Sequence, residues 1–555
     1  MSARSLVVLV FAIVLLSVAF TPAIASTSAA TSGAEGPAAP IEQSNATLVS
    51  AYPNPVAHGD PGEYVTVRFT QPTNTTGWTL TDGITAASLP NRTFDGTVAF
   101  STKPAHARNH TEHPVSSLSG RLQLADDGDT LALIAGNQTV STAEYRNAPQ
   151  SERRDFEANA WVPIGATDHD PIRTDGGAAT TFVLPDSPQV IEEELDAAED
   201  RILIGGYTLT SERVTETLIA AKSDGVTVRV VLDGAPVGGV TQRQADQLDR
   251  LTSHNIEVRL LSGPHSRYQH HHPKYAVVDD RALVTTENFK PAGTGGMSSR
   301  GWGVVLESSV AADELAAIHE NDRTWRAATE WQQYRAGREF TESNPALGTF
   351  DPRHAPEDVD TDAATVLIAP DNAESELVSM IDAADERILV QQVRIDSRDN
   401  ELLQAALRAA ERGVRVRISL DGSWYVEDDN AALIEWLTHR ADASGWDLEA
   451  KIDEPNEYDK LHTKGLIVDD TAVVGSLNWV RSAKSDNREV LIALEGSEPA
   501  AYYATVFTDD WDESEQHSVP VGIFGAAAVT VSGALLVLRK IEFVGRRETV
   551  TDWQW

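Results

Sequence analysis

Apolar and polar positions fall into distinct regimes along the chain. Between residues 44 and 150, short β-branched runs such as Tyr64-Val65-Thr66-Val67-Arg68-Phe69 are broken by Gly, Pro and Asn turns. That pattern predicts a small all-β sandwich. Further on, strand-length runs such as Ile202 to Ile204 and Val226 to Leu232 alternate with amphipathic stretches such as Thr215 to Lys222. This is the rhythm of βαβ units and predicts an α/β fold. Two apolar runs stand apart, Leu6 to Phe20 and Val519 to Leu538. The second has the length of about 20 residues that a bilayer helix requires.

The α/β region is written twice. Asp196 to Ile204 matches Asp382 to Val390, Gly225 to Gly234 matches Gly413 to Gly422, and His272-Pro-Lys274 answers His462-Thr-Lys464. Trp325 and Trp511 close the two copies. The expected fold class is therefore duplicated α/β domains packed as a pseudo-dimer, behind a small all-β sandwich and ahead of one transmembrane helix. The boundaries read as a signal peptide over 1–25, a lead-in over 26–43, the sandwich over 44–150 and a first copy over 175–336. A Pro, Gly and acid-rich linker over 337–362 precedes a second copy over 363–515, a transmembrane helix over 519–538 and a cytoplasmic tail over 539–555.

The flanks of the apolar runs set the expected compartment. Arg4 precedes the first, and Thr21-Pro22-Ala23-Ile24-Ala25 follows it as a cleavage site would. Acidic residues precede the second, and Arg539, Lys540, Arg546 and Arg547 follow it, so the bulk of the chain is expected outside a cell membrane. Sequons at Asn45, Asn74, Asn91, Asn109 and Asn137 all lie in or beside the β segment and mark acceptor sites for glycans in a secreted chain.

Composition adds exclusions. In 555 residues there is no cysteine, which removes disulfides, thiolate catalysis and Cys-ligated metal. The formal charge of −38, from 83 acidic against 45 basic residues, resembles the surface of a protein adapted to concentrated salt. At molar salt the Debye length is about 3 Å, so this charge does not exclude a polyanionic substrate.

The candidate chemistry lies in two hairpins. In the second copy, His462 and Lys464 precede Gly465 to Asp470, and Thr471 to Ser476 lead back to Asn478. Residues two apart on a strand share a face, so imidazole and ammonium converge, with Asn478 in reach. The first copy repeats the set with His272, Lys274, Asp279 and Asn288. A base or nucleophile beside a cation and an amide donor suits a phosphoryl centre. His270-His271-His272 invites a metal reading. Adjacent strand residues face opposite ways, which disfavours chelation, and neither metal nor cofactor is expected.

The doubled pattern HxKxxxxD followed by Asn resembles the phospholipase D superfamily. The β segment resembles the lamin-tail family of immunoglobulin-like domains, through Pro53-Asn54-Pro55, Gly62-Glu63-Tyr64-Val65, Gly77-Trp78-Thr79-Leu80 and Leu124 to Asp129. The first resemblance implies a metal-independent phosphodiesterase in which one motif histidine attacks phosphorus and the other protonates the leaving alcohol. It assigns His272 as nucleophile and His462 as general acid, an order that reverses without changing the chemistry. It further implies that Lys274, Lys464, Asn288 and Asn478, with the hydroxyls of Thr286 and Ser476, bind substrate. Asp279 and Asp469 orient the site from hairpin turns, and Glu489 orients the second-copy histidine.

The first copy departs from the pattern. Thr285-Thr286-Glu287-Asn288 stands for Gly475-Ser476-Leu477-Asn478, and Gly301 stands where the second copy has Glu489. The expected substrate is a phospholipid head group, with the C-terminal helix as the membrane contact. Nucleic acid is the alternative substrate, and a surface binding protein with an inert phosphodiesterase fold is the alternative from another class. The sequence carries no sign of oligomeric state.

Overall fold

A computed structural model describes residues 45–55, 62–263, 265–344, 346, 348–454 and 457–516. The expected signal peptide, lead-in, transmembrane helix and tail lie outside the described residues. Among the described residues no helix is long and apolar enough to cross a membrane.

The N-terminal region is all-β. Among the described residues one sheet orders its strands 160–163, 152–155, 46–52, 64–74, 93–101 and 115–117, so it runs past residue 150, and a second holds 119–120, 86–88, 78–81, 128–135 and 138–146. Inward-facing Phe69, Phe94, Phe100, Leu80, Leu131 and Leu133 fill the space between them. Arg267 reaches from the α/β region to Glu112 at 2.8 Å, and Arg481 bonds the Gln150 carbonyl.

The rest of the chain is built around one mixed sheet, of sixteen strands among the described residues. Its order is palindromic about a seam where Ile172–Leu184 runs antiparallel to Glu357–Ala369. The second seam strand starts inside the segment expected as linker. On either side come Ser299–Glu307 and Glu489–Glu495, then a hairpin, then three parallel strands. Alternation in the hairpins is lost because both faces are covered: Lys274–Val278 and Lys464–Val468 are buried throughout.

Helices cover the outer faces, among them Glu212–Ser223, whose N-terminus is capped by the Ser211 hydroxyl, and Glu401–Arg412, stopped by Gly413 at φ 98°. Helices Ser309–Thr324 and Ser497–Gln516 cover a core to which both halves contribute, including Trp302, Val304, Ile467, Val490, Ile492 and Tyr503. Trp302 stacks on Tyr503 with ring centroids 4.6 Å apart.

Two buried arginines tie the halves by the same logic. Arg300 bonds Asp186 at 2.8 Å in its own half and Asp510 at 3.0 Å in the other. Arg488 likewise bonds Asp371 at 2.9 Å and Asp322, across the pseudo-twofold, at 3.3 Å. Each guanidinium also packs over a tyrosine ring of the opposite half, Tyr458 and Tyr268 respectively. Burying such charges is tolerable only because each is paired on two sides.

Candidate active site

Each motif histidine lies just before its hairpin and is held by the opposite half. The His272 amide donates to the Arg488 carbonyl at 3.0 Å, and the His462 amide donates to the Arg300 carbonyl at 3.0 Å. From below, Asp233 accepts from the His271 amide at 2.5 Å and Asp421 from the Leu461 amide at 3.2 Å. These aspartates end parallel strands, so the sheet's carboxyl edge fixes both histidine loops.

Clamping by residue 488 brings the next residue onto His272. Nδ1 of His272 lies 2.8 and 2.9 Å from the two Glu489 oxygens, one of which also accepts from Asn487 at 3.1 Å. This corrects the sequence expectation: Glu489 orients the first-copy histidine, because the strand that bears it pairs with the other half's loop. His462 has a different partner. Its Nδ1 lies 3.2 Å from Oε1 of Glu287, a residue the sequence reading had noted only as a departure. Both carboxylates are fully buried, while the two imidazoles keep 13% and 16% of their side-chain surface.

The lysines converge with them. Lys274 and Lys464 donate to the carbonyls of His272 and His462, and their charges are felt across the halves, Lys464 by His272 and Lys274 by His462. Lys290 and Lys460 add positive charge around Glu287. Asn288 and Asn478 each have a buried side-chain oxygen without a hydrogen-bond partner among the described residues.

Thr286 and Ser476, expected to bind substrate, are fully buried. Their hydroxyls accept from the amides of Trp302 and Val490, both at 3.0 Å. They fix the strands that carry positions 301 and 489 instead of facing a ligand. Asp279 and Asp469 stand at φ 52° and 50° in the hairpin turns. Their carboxylates accept from the amides of residues 199–201 and 385–387 at 2.8 to 2.9 Å. Partial burial pushes both up, yet three amide donors hold each below the ordinary carboxylate range.

The histidine run 270–272 diverges: His271 is buried between the Gly206 carbonyl and Asp322, while His270 lies beside Asp233. Among the described residues no group of three or more His, Asp or Glu side chains is gathered as a metal would need. Trp302 and Trp479 are core, whereas Trp424 is 87% exposed.

Electrostatically the site is short of negative charge. Burial pushes His272 down to about 4, Glu489 opposing it and Lys274 adding to it. Burial and then Lys464 hold His462 well below its usual value. Burial lowers Lys464 to about 7 despite Glu287 and Glu489, and raises Glu287 to about 7 against the pull of Lys464. An anion placed among these groups would favour the charged form of every imidazole and ammonium there.

Comparison with known protein families finds the same duplication. The family described as "Cardiolipin synthase, PLD-like domain" matches residues 191–323 and again 377–511. The two α/β halves are phospholipase D-like domains. It is similar to phosphatidylserine synthase of Haemophilus influenzae Rd KW20, at 12% identity and TM-score 0.45, covering 64% of this chain and 94% of that one. It is also similar to Nuc, a phospholipase D family member from Salmonella typhimurium, at 19% identity and TM-score 0.24, covering 29% and 98%. Polyphosphate kinase from Porphyromonas gingivalis aligns at 11% identity and TM-score 0.40, over 60% and 50%. No curated protein matches the chain.

For a phospholipase D-like pair, the residues missed from sequence are Glu287, Lys290 and Lys460. The signal for Glu287 was available: the half that lacks a carboxylate at 301 gains one at 287, and Trp302 and Thr286 exchange hydrogen bonds.

Proposed function

We propose that the protein is a phosphodiesterase that hydrolyses phospholipid head groups, held at the outer face of a membrane by its C-terminal apolar segment. The observation that carries the reading is the pairing of two buried His-Lys sets into one electropositive centre, each histidine backed by a carboxylate.

His272 acts as nucleophile. Nδ1–H donates to Glu489, leaving Nε2 with its lone pair at neutral pH. Nε2 attacks phosphorus and the bond to the head-group oxygen breaks, with that oxygen taking the proton from Nε2 of His462. Water, giving its proton to His462, then breaks the phosphorus–nitrogen bond and releases phosphatidate. Lys274, Lys464, Asn288 and Asn478 hold the non-bridging oxygens. The phosphodiester's own charge offsets the low proton affinity of His462 in the free site.

A lipid substrate is supported by the rim. The loops after strands Thr227–Asp233 and Arg415–Asp421 occupy equivalent places and carry Val237, 83% exposed, and Trp424, 87% exposed. The amide of Val237 donates to the hydroxyl of Tyr207, whose ring packs 4.7 Å from that of His272. Exposed Trp at a site mouth suits the lipid–water interface. Helix Ser497–Gln516 ends at the same edge, since its Asp510 bonds Gln391 and its Trp511 carbonyl bonds Lys451. The apolar run from Val519 follows directly in sequence.

The test offers full-length protein, in detergent and molar salt with EDTA, vesicles of anionic and zwitterionic phospholipid and, in parallel, single-stranded DNA. Head-group release is expected. DNA cleavage with silent lipid would make the protein a nuclease, and head-group exchange with added glycerol in place of water would make it a transferase.

A further inference from the structure

We propose that Glu287 is the positioning residue of His462, relocated from position 301, and that Gly301 is glycine because its missing side chain leaves the socket that Glu287 fills, with Gly293 lining the other side. The catalytic consequence rests on the phosphodiesterase reading above; the coupling of the two side chains does not.

The pseudo-symmetry defines where a carboxylate belongs. Arg300-Gly301-Trp302 and Arg488-Glu489-Val490 are equivalent in backbone: the carbonyls of 300 and 488 accept from the motif histidine amides. The amides of 302 and 490 bond the Thr286 and Ser476 hydroxyls. Position 301 therefore faces His462 as Glu489 faces His272, and it bears no side chain. Into that space comes Glu287, whose counterpart Leu477 is core in the second half.

The fit is steric as well as chemical. A β-carbon at 301 would fall on Cγ of Glu287 and lie 2.9 Å from Oγ1 of Thr286. A β-carbon at 293 would lie 2.5 Å from Oε2 of Glu287. Neither glycine has a left-handed φ; a β-carbon at 293 would also lie 2.8 Å from the Asn288 carbonyl oxygen, whereas at 301 the atoms in the way are side-chain atoms of Glu287 and Thr286. Among the described residues, both carboxylate oxygens are buried without a hydrogen-bond partner, as is His462 Nδ1, and the two groups face each other at an ion-pair distance of 3.2 Å. Lys290 and Lys460, where the second half has Val480 and the first has His270, add charge on this side. The carboxylate is thus aimed at His462 from a different backbone position than its twin.

The experiment uses four variants of the full-length protein: Glu287→Gln, Glu287→Leu, Gly301→Glu, and Glu287→Leu combined with Gly301→Glu. The first readout needs no substrate: the His462 imidazole is titrated by NMR, its signal assigned by loss in His462→Gln. Removing the neighbouring carboxylate in Glu287→Gln should lower that titration by about one pH unit or more. With phospholipid, kcat should fall about 10²-fold with KM within about threefold, and the alkaline limb of the rate profile should move to lower pH. Gly301→Glu alone should be inactive or unfolded, through collision with Glu287. The double variant should regain at least about tenfold over Glu287→Leu, because the carboxylate returns to the place its twin occupies.

Thermal melting identifies which variants are folded. A folded Glu287→Gln with unmoved His462 titration, or a folded double variant no better than Glu287→Leu, overturns the proposal. Should wild type cleave no phosphodiester, the NMR titration still decides: a shifted His462 upholds the coupling while the phosphodiesterase reading falls.

Discussion

The two α/β halves share a backbone plan yet reach the same electrostatic result by different side chains. In the second half the carboxylate stands at 489 on the strand after the hairpin, fixed by Asn487, and serves His272 through two contacts of 2.8 and 2.9 Å. In the first it stands at 287 in the hairpin's return, without a hydrogen-bond donor among the described residues, and faces His462 at an ion-pair distance of 3.2 Å. What the duplication preserves is the position of charge relative to imidazole, and the residue that supplies it is free to move. The difference also fits a division of labour. A doubly bonded carboxylate locks one tautomer, as a nucleophile requires, whereas one raised to about 7 sits beside an imidazole that must give and regain a proton.

The comparison is broken most severely by removing either histidine. If the halves form one centre, His272→Ala and His462→Ala should each lower turnover by about 10⁴-fold, measured as head-group release; two independent centres would each leave about half. Next come the buried arginines. Arg300→Met and Arg488→Met should each destabilise by about 3–5 kcal/mol, because each leaves two aspartates buried without their guanidinium. Chemical unfolding in molar salt measures this, and similar values for the two would confirm that the ties are equivalent.

The carboxylates sharpen the contrast further. Glu489→Gln should lower kcat by about 10²–10³-fold, and it should move the acid limb of the rate profile to lower pH. The sign follows from the role: Glu489 raises His272, so its loss lowers that group, and a nucleophile is active when neutral. Glu287→Gln should instead move the alkaline limb. Smallest is the rim. Trp424→Ala or Val237→Asp should weaken vesicle binding by about fivefold to tenfold in a sedimentation assay, with cleavage of a short-chain soluble substrate unchanged.

Much of this was legible in the sequence because the duplication repeats local signals. Strand-length runs, the hairpins at 274–285 and 464–475, and the His-Lys spacing depend only on neighbours in the chain. What escaped depends on contacts across the pseudo-twofold. That Arg488 clamps the His272 loop, and so hands Glu489 to the first-copy histidine, follows from pairing between segments more than 200 residues apart. The substrate contacts that the resemblance implies for the hydroxyls of Thr286 and Ser476 are not corrected by strand alternation, which does not say which side of a fully buried sheet faces the site. The first residues of the seam strand at 357–369 fall in the expected linker because their acidity masks an apolar continuation.

The account's central claim is one shared centre with His272 as its nucleophile. A single turnover on phospholipid, stopped by rapid denaturation at alkaline pH, where phosphohistidine survives, and mapped by peptide mass spectrometry, tests it most directly. The account predicts one phosphorus-bearing adduct per chain, on His272, and none in His272→Ala. An adduct on His462, two adducts per chain, or full turnover with no adduct would contradict it.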